Sequence, residues 1–221
     1  MKLSEPKVIP AIIPQSLTHL EETLAKLPFA REVQIDVVDG QFVSDISWPY
    51  SGEDSVSDVK SLISDRGVEV DLMVSDPVNA GRDWLAAGAK KLIFHIESLI
   101  DTEAILILKS DFNCEIAISL NNDTALESLY PHLDKFDYVQ LMGIDKIGSQ
   151  GQPFDIRVLE RIVTLRALYP ELTISIDGAI NETNILELRK AGADHFVVGS
   201  AILKAEDPRA KHEELLKIIA G

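Results

Sequence analysis

The sequence holds a single cysteine, no run of lysines and arginines, and no apolar stretch long enough to span a bilayer. One thiol allows no disulfide within the chain, which suits a reducing compartment. Cys114 lies in the apolar run Cys114-Glu115-Ile116-Ala117-Ile118 and reads as a buried strand residue, since nothing beside it would activate a catalytic thiol. Positive charge is scarce: 21 Lys and Arg face 36 Asp and Glu, a formal net charge of −15 at pH 7. Such a chain repels nucleic acid and anionic membranes, so neither is expected as a partner. One small phosphate remains admissible, because backbone N–H groups at helix N-termini bind it whatever the net charge. Residues 1–10 lack the apolar core of a cleavable leader, and a cytoplasmic location is expected.

With 221 residues and 46% hydrophobic content the chain can bury one large core, and no low-complexity linker divides it. Short β-rich apolar runs alternate with longer amphipathic segments throughout, the order of parallel strands joined by helical crossovers. The strands are expected at 7–13, 32–37, 67–74, 90–96, 115–120, 137–142, 172–176 and 195–198. Helical spacing marks 17–27, 78–87, 156–168 and 185–191. Ala87-Gly88-Ala89 and Ala191-Gly192-Ala193 each place glycine where a helix must end, and Asp207-Pro208 opens the last helix. The expectation is one (β/α)8 TIM barrel over residues 1–221, with the long loops 39–53 and 143–154 at the C-terminal face where such barrels build their sites.

Asp36 and Asp177 end the second and seventh strands, and carboxylates there point into the barrel mouth. Read singly, each could equally be a loop-capping aspartate. Asp39 fits the capping role better, because Asp39-Gly40 is a turn signal. Period-two alternation puts Asp71 on the same side as Glu69 and Met73, and Gln34 in phase with Asp36. A buried carboxylate at 71 needs a metal, a cation, a shared proton or water. Gln34, Asp36, Asp71 and Asp177 are therefore candidates for one converging cluster. Gly178-Ala179 and Gly199-Ser200 follow strands seven and eight, the usual phosphate cradle of this architecture, and Gly148, Ser149, Gln150 and Gly151 could add donors. Plain turn glycine is the alternative at each of them.

Ile35-Asp36-Val37-Val38-Asp39-Gly40-Gln41-Phe42-Val43, Asp71-Leu72-Met73-Val74, Leu120-Asn121, Met142, Ile176-Asp177-Gly178 and Val198-Gly199-Ser200-Ala201-Ile202 stand in order over nearly the whole chain. Together they resemble the successive signatures of the ribulose-phosphate 3-epimerase family. The resemblance implies a barrel of the ribulose-phosphate-binding type and a 1,1-proton transfer beside a ketone, with Asp36 and Asp177 as the acid-base pair. It also implies a divalent metal, held by two histidines and these aspartates, that stabilises the enediolate oxygens. Met73 and Met142 match two shielding methionines, and Val38 replaces a third.

The chain departs from that pattern. Gln34 and Asp71 stand where the two histidines would be, Ala11 replaces a substrate-orienting serine, and the loop after strand six is altered. Gln34, Asp36, Asp71 and Asp177 would make an all-oxygen metal set, better suited to Mg²⁺ or Mn²⁺ than to zinc. The alternative is no metal, in which case three repelling aspartates hold a proton near neutrality and a general-acid role becomes easier. Lys146 is then the candidate cation, against the reading of a solvated surface lysine. His95 is a candidate substrate contact, against that of a satisfied core histidine.

The sequence thus points first to an epimerase or isomerase acting on a small phosphorylated sugar, a ketose phosphate, with an altered or absent metal site. A non-catalytic or differently specific phosphosugar-binding barrel is one alternative. A sugar-phosphate decarboxylase or aldolase is another, disfavoured because related decarboxylases carry a lysine where Val38 stands. A symmetric homo-oligomer is expected.

Overall fold

The computed structural model describes residues 5–52, 55–98, 101–149 and 151–221. Eight parallel strands close in chain order into a barrel: β1 (Lys7–Ile12), β2 (Glu32–Val38), β3 (Gly67–Met73), β4 (Lys91–His95), β5 (Glu115–Leu120), β6 (Tyr138–Met142), β7 (Ile174–Asp177) and β8 (His195–Val198). Around it lie α1 (Leu17–Ala25), α2 (Pro77–Ala87), α3 (Thr102–Phe112), α4 (Arg157–Leu168), α5 (Ile185–Ala191), α6 (Ser200–Leu203) and α7 (Pro208–Ala220). Among the described residues no helix is long and apolar enough to cross a membrane.

Local chemistry sets the helix ends. Side chains of Ser16, Asp76, Asp101 and Asp207 accept from the first-turn N–H groups of α1, α2, α3 and α7, and Pro77 and Pro208 sit where no N–H is needed. Gly88 and Gly192 end α2 and α5 at φ 115° and 120°, a region closed to most side chains. Among the described residues two crossovers contain no α-helix and pass through short 3₁₀ turns, Val56–Val59 after β2 and Leu126–Leu129 after β5. Ser55 and Asp58 satisfy each other's backbone in the first, an alternative to helix propagation, and Pro131 closes the second.

Strand alternation divides the interior into two environments. Ile35, Val37, Leu72, Phe94, Ile118 and Leu141 face outward and pack beneath the helices in one continuous apolar layer. The inward set is largely polar, and Gln34, Glu69, Asp71, His95, Ser119, Gln140 and Ser175 are all fully buried. Register places Asp36 beside Asp71 and Met142 beside Asp177. One layer below the mouth, Tyr138 donates to Glu69 at 2.7 Å, and burial pushes the Glu69 carboxyl up to about 7.

At the opposite end of the barrel Arg166 of α4 fixes the starts of β7 and β8. It donates to the carbonyls of Gly192, Pro170 and Leu172 and pairs with the buried Asp194 at 2.6 Å. Asp194 in turn accepts from the Ile174 N–H. Arg166→Ala strips the nearer cation from a carboxylate that is 2% exposed, leaving Arg189 at 3.6 Å as its remaining partner. Urea denaturation should register a loss of about 3 kcal/mol.

Candidate active site

Asp36, two residues before the end of β2, and Asp177, the last residue of β7, face one cleft at the C-terminal mouth. Gln34 links them. Its Nε2 donates to Asp36 Oδ1 at 2.7 Å and to Asp177 Oδ2 at 2.9 Å, and its Oε1 lies buried with no donor among the described residues. Asp71 completes the cluster, and carboxylate oxygens of the three aspartates lie within 4.8 Å of one another. Behind the cleft, Asp71 accepts from His95 Nε2 at 2.9 Å and from Gln140 Nε2 at 3.0 Å. The other ring nitrogen of His95 faces Glu97 at 3.8 Å.

Proton affinities follow from this crowding. Burial first, then the charges of Asp177 and Asp71, push Asp36 well above the usual carboxylate range. Asp177 is pushed up to about 7, by burial first and then by Asp71, while the Gln34 bond and His95 pull the other way. Burial alone would push His95 down, but Asp71 and then Glu97 outweigh it and hold the imidazole above its ordinary value. Two carboxyls of raised proton affinity and a buried His95–Asp71 hydrogen bond therefore share the site.

The cleft opens at the C-terminal mouth between the loops that follow β6, β7 and β8. Met73, Met142, Val38, Ile144 and Ile147 form an apolar wall. Gly148, Ser149 and Gly151 from the loop after β6, Gly178 and Ala179 after β7, and Gly199 and Ser200 after β8 line the rest. Ala179 takes φ 55° without being glycine, and its carbonyl is pinned by Asn181 and Asn184 at 3.2 and 2.9 Å. That pinning fixes the backbone direction of the seventh loop. Gln150 lies outside the described residues.

For Lys146 and His95 the structure takes the second of the two readings that the sequence left open. Lys146 is exposed and absent from the cleft lining; the neighbouring Ile144 and Ile147 turn inward instead. His95 is fully buried against Asp71 with Phe42 over its ring, so it supports the site from behind and offers no surface to a ligand. Asp39 takes the capping role that Asp39-Gly40 signals, closing its own loop through Gln41 and Phe42 and tying that loop to Ser75. Gln140 escaped the sequence reading, although it stands in phase with Met142 on β6, the same signal that found Gln34.

The donor set does not suit the metal that the family resemblance implies. Gln34 presents its amide nitrogen, not an oxygen, to Asp36 and Asp177, and both Asp71 oxygens already carry donors. Among the described residues no imidazole joins the three aspartates in a ligand cluster, and His95 turns its Nε2 to Asp71.

A family model described as the ribulose-phosphate 3 epimerase family matches residues 7–203. The ribulose-phosphate 3-epimerase of Aquifex aeolicus is 32% identical over 188 residues, which cover 83% of this chain and 82% of that protein. The Escherichia coli ribulose-phosphate 3-epimerase is 28% identical over 219 residues, 96% of each chain. Among solved structures, the 3-keto-L-gulonate-6-phosphate decarboxylase of Vibrio cholerae shares the fold with a TM-score of 0.73 at 19% identity, over 98% of each chain.

Proposed function

Since the chain belongs to the ribulose-phosphate 3-epimerase family and is an isomerase-type enzyme of it, we propose that it inverts a carbon beside the ketone of a ketose phosphate such as D-ribulose 5-phosphate. The observation that carries this reading is the pair of carboxyls, Asp36 and Asp177, held at one cleft by a common amide donor, both with raised proton affinity.

The substrate phosphate rests on the backbone N–H groups around Gly178-Ala179 and Gly199-Ser200, and the carbon chain crosses the apolar wall of Met73 and Met142. Asp177, close to its midpoint at neutral pH, removes the proton. The C–H bond breaks, its electron pair passes to the adjoining C–C bond and onto the carbonyl oxygen, and an enediolate results. Asp36, still protonated, returns a proton to the opposite face of the same carbon as the carbonyl re-forms. One proton leaves and one arrives, so nothing is oxidised or reduced. In the reverse direction the two residues exchange roles. Val38, packed with Met73 and Met142, supplies no cation beside Asp36, which speaks against decarboxylation through a lysine there.

The test is proton exchange in D₂O. Incubated with D-ribulose 5-phosphate, the protein should wash out the C3 proton signal by NMR while forming the C3 epimer. If neither this sugar nor a related ketose phosphate exchanges, the reading fails. The rate should fall as pH drops through about 7, where Asp177 takes up a proton, and should fall again at higher pH as Asp36 releases its own. A rate that climbs steadily into acid contradicts the assignment.

A further inference from the structure

We infer that Gln34 takes the place of a metal ion in this site: its amide N–H₂ bridges the two reacting carboxyls, positions them, and leaves a divalent cation no room to bind. The inference rests on the proton-transfer reading for what the pair does, and stands apart from it on whether a cation binds.

The geometry is specific to an amide donor. An amide nitrogen carries two hydrogens, and here each has its own carboxylate, Asp36 at 2.7 Å and Asp177 at 2.9 Å. Two carboxyls facing one cleft repel and would drift apart, and a pair of N–H donors between them opposes that, as a cation would. Unlike a cation, the amide adds no formal charge and takes no lone pair from water or substrate. Turning the amide over would set Oε1 where Nε2 now sits, against two carboxylate oxygens, an arrangement tolerable only with a cation between them.

The third carboxylate is likewise engaged. Asp71 accepts from His95 on one oxygen and from Gln140 on the other, and it does not line the cleft. A metal at the centre of the three aspartates would have to displace the Gln34 amide and reorganise a fully buried His95–Asp71 pair as well. Gln34 is therefore a positioning residue, acting on substrate through Asp36 and Asp177.

The experiment compares the full-length protein with two variants, using metal content as its first readout. Wild-type protein purified in the presence of Zn²⁺ or Mn²⁺ and then desalted should carry far less than one ion per chain by elemental analysis, and EDTA should leave its exchange rate unchanged. A retained stoichiometric ion, or a rate abolished by EDTA and restored by metal, overturns the inference. The double variant Gln34→His with Asp71→His, checked for folding by circular dichroism, should gain about one zinc per chain, because it faces two imidazoles and two carboxylates on one centre. A folded double variant that stays metal-free overturns the claim that residues 34 and 71 keep the cation out. Gln34→Leu should lower kcat about 100-fold with KM held within about twofold, the pattern of misplaced reacting groups. An unchanged kcat, or a loss confined to KM, removes the positioning role. Metal-free protein that exchanges no ketose phosphate would overturn the proposed reaction while leaving the metal exclusion standing, so the two failures can be told apart.

Discussion

Asp177→Asn is expected to lower epimerisation of a ketose phosphate by about 10³-fold while leaving the fold at least as stable as before. Asparagine keeps the size of the side chain but cannot take a proton from carbon. Burial of the ionised aspartate beside Asp71 is unfavourable, which is why its proton affinity is raised. Removing that charge relieves repulsion on Asp36 as well, since Asp177 is one of the causes that push Asp36 up. The melting temperature should therefore hold or rise as activity collapses, a combination that global damage cannot produce. Asp36→Asn should behave alike. Each single variant still has one acid-base group, so each should exchange deuterium into only the epimer whose C–H faces the surviving aspartate, without inverting it. A variant that inverts at more than about a tenth of the wild-type rate would remove its residue from the chemistry. Equal exchange of both epimers by one variant would show that a single base serves both faces.

Much of this site could be read from residue order, because strand alternation is a rigid rule. Once Asp36 was placed in the mouth, the two-residue period put Gln34 beneath it, and the same rule put Asp71 inward beside Glu69 and Met73. The period fixes a side and says nothing about which end of an amide points where. The bridging role of Gln34 depends on an acceptor two residues away and another 143 residues away in the chain, and that meeting exists only in the closed barrel. His95 shows the same limit. Its inward direction follows from β4, but its partner Asp71 lies on the neighbouring strand and takes it out of the cleft. The sequence leaves Lys146 between two readings for a different reason. The loop after β6 has no period, and its isoleucines at 144 and 147 capture the inward positions against Met73 and Met142, which sends the lysine to solvent. The two crossovers without an α-helix were hidden for a related cause, since serine and aspartate side chains at 55 and 58 compete with helix hydrogen bonds only when their local geometry permits.

The loops after β6 and β7 meet backbone to backbone, and Gly143→Ala should expose how closely catalysis depends on that contact. A Cβ at 143 would stand 2.5 Å from the Gly178 carbonyl oxygen and 3.5 Å from that of Asp177. Neither neighbour can rotate away as a side chain would. The Gly143 N–H also donates to the Asp177 carbonyl at 2.6 Å, and the Gly143 carbonyl accepts from Asp155 at 2.8 Å, so the residue is tied on both sides. Alanine must force the two loops apart, and the carboxyl of Asp177 moves with its own backbone. A displacement of about 1 Å costs on the order of 100-fold in rate, so kcat/KM should fall by about that factor. Overpacking should cost a further 1–3 kcal/mol of stability, roughly 2–12 °C in melting temperature for a chain of this size. Gly88→Ala separates the two effects. Gly88 ends α2 at the far end of the barrel with φ 115°, and a Cβ there meets only Ile63 at 4.0 Å. Its penalty is backbone strain, about 1–2 kcal/mol, with no path to Asp177, so kcat/KM should stay at the wild-type value. If Gly143→Ala kept wild-type kcat/KM at the same loss of stability as Gly88→Ala, the contact between the sixth and seventh loops would be structural only. If its rate falls while Gly88→Ala is silent, the sixth loop holds Asp177 opposite Asp36, and the altered sequence of that loop becomes part of how this barrel keeps its acid and base in place.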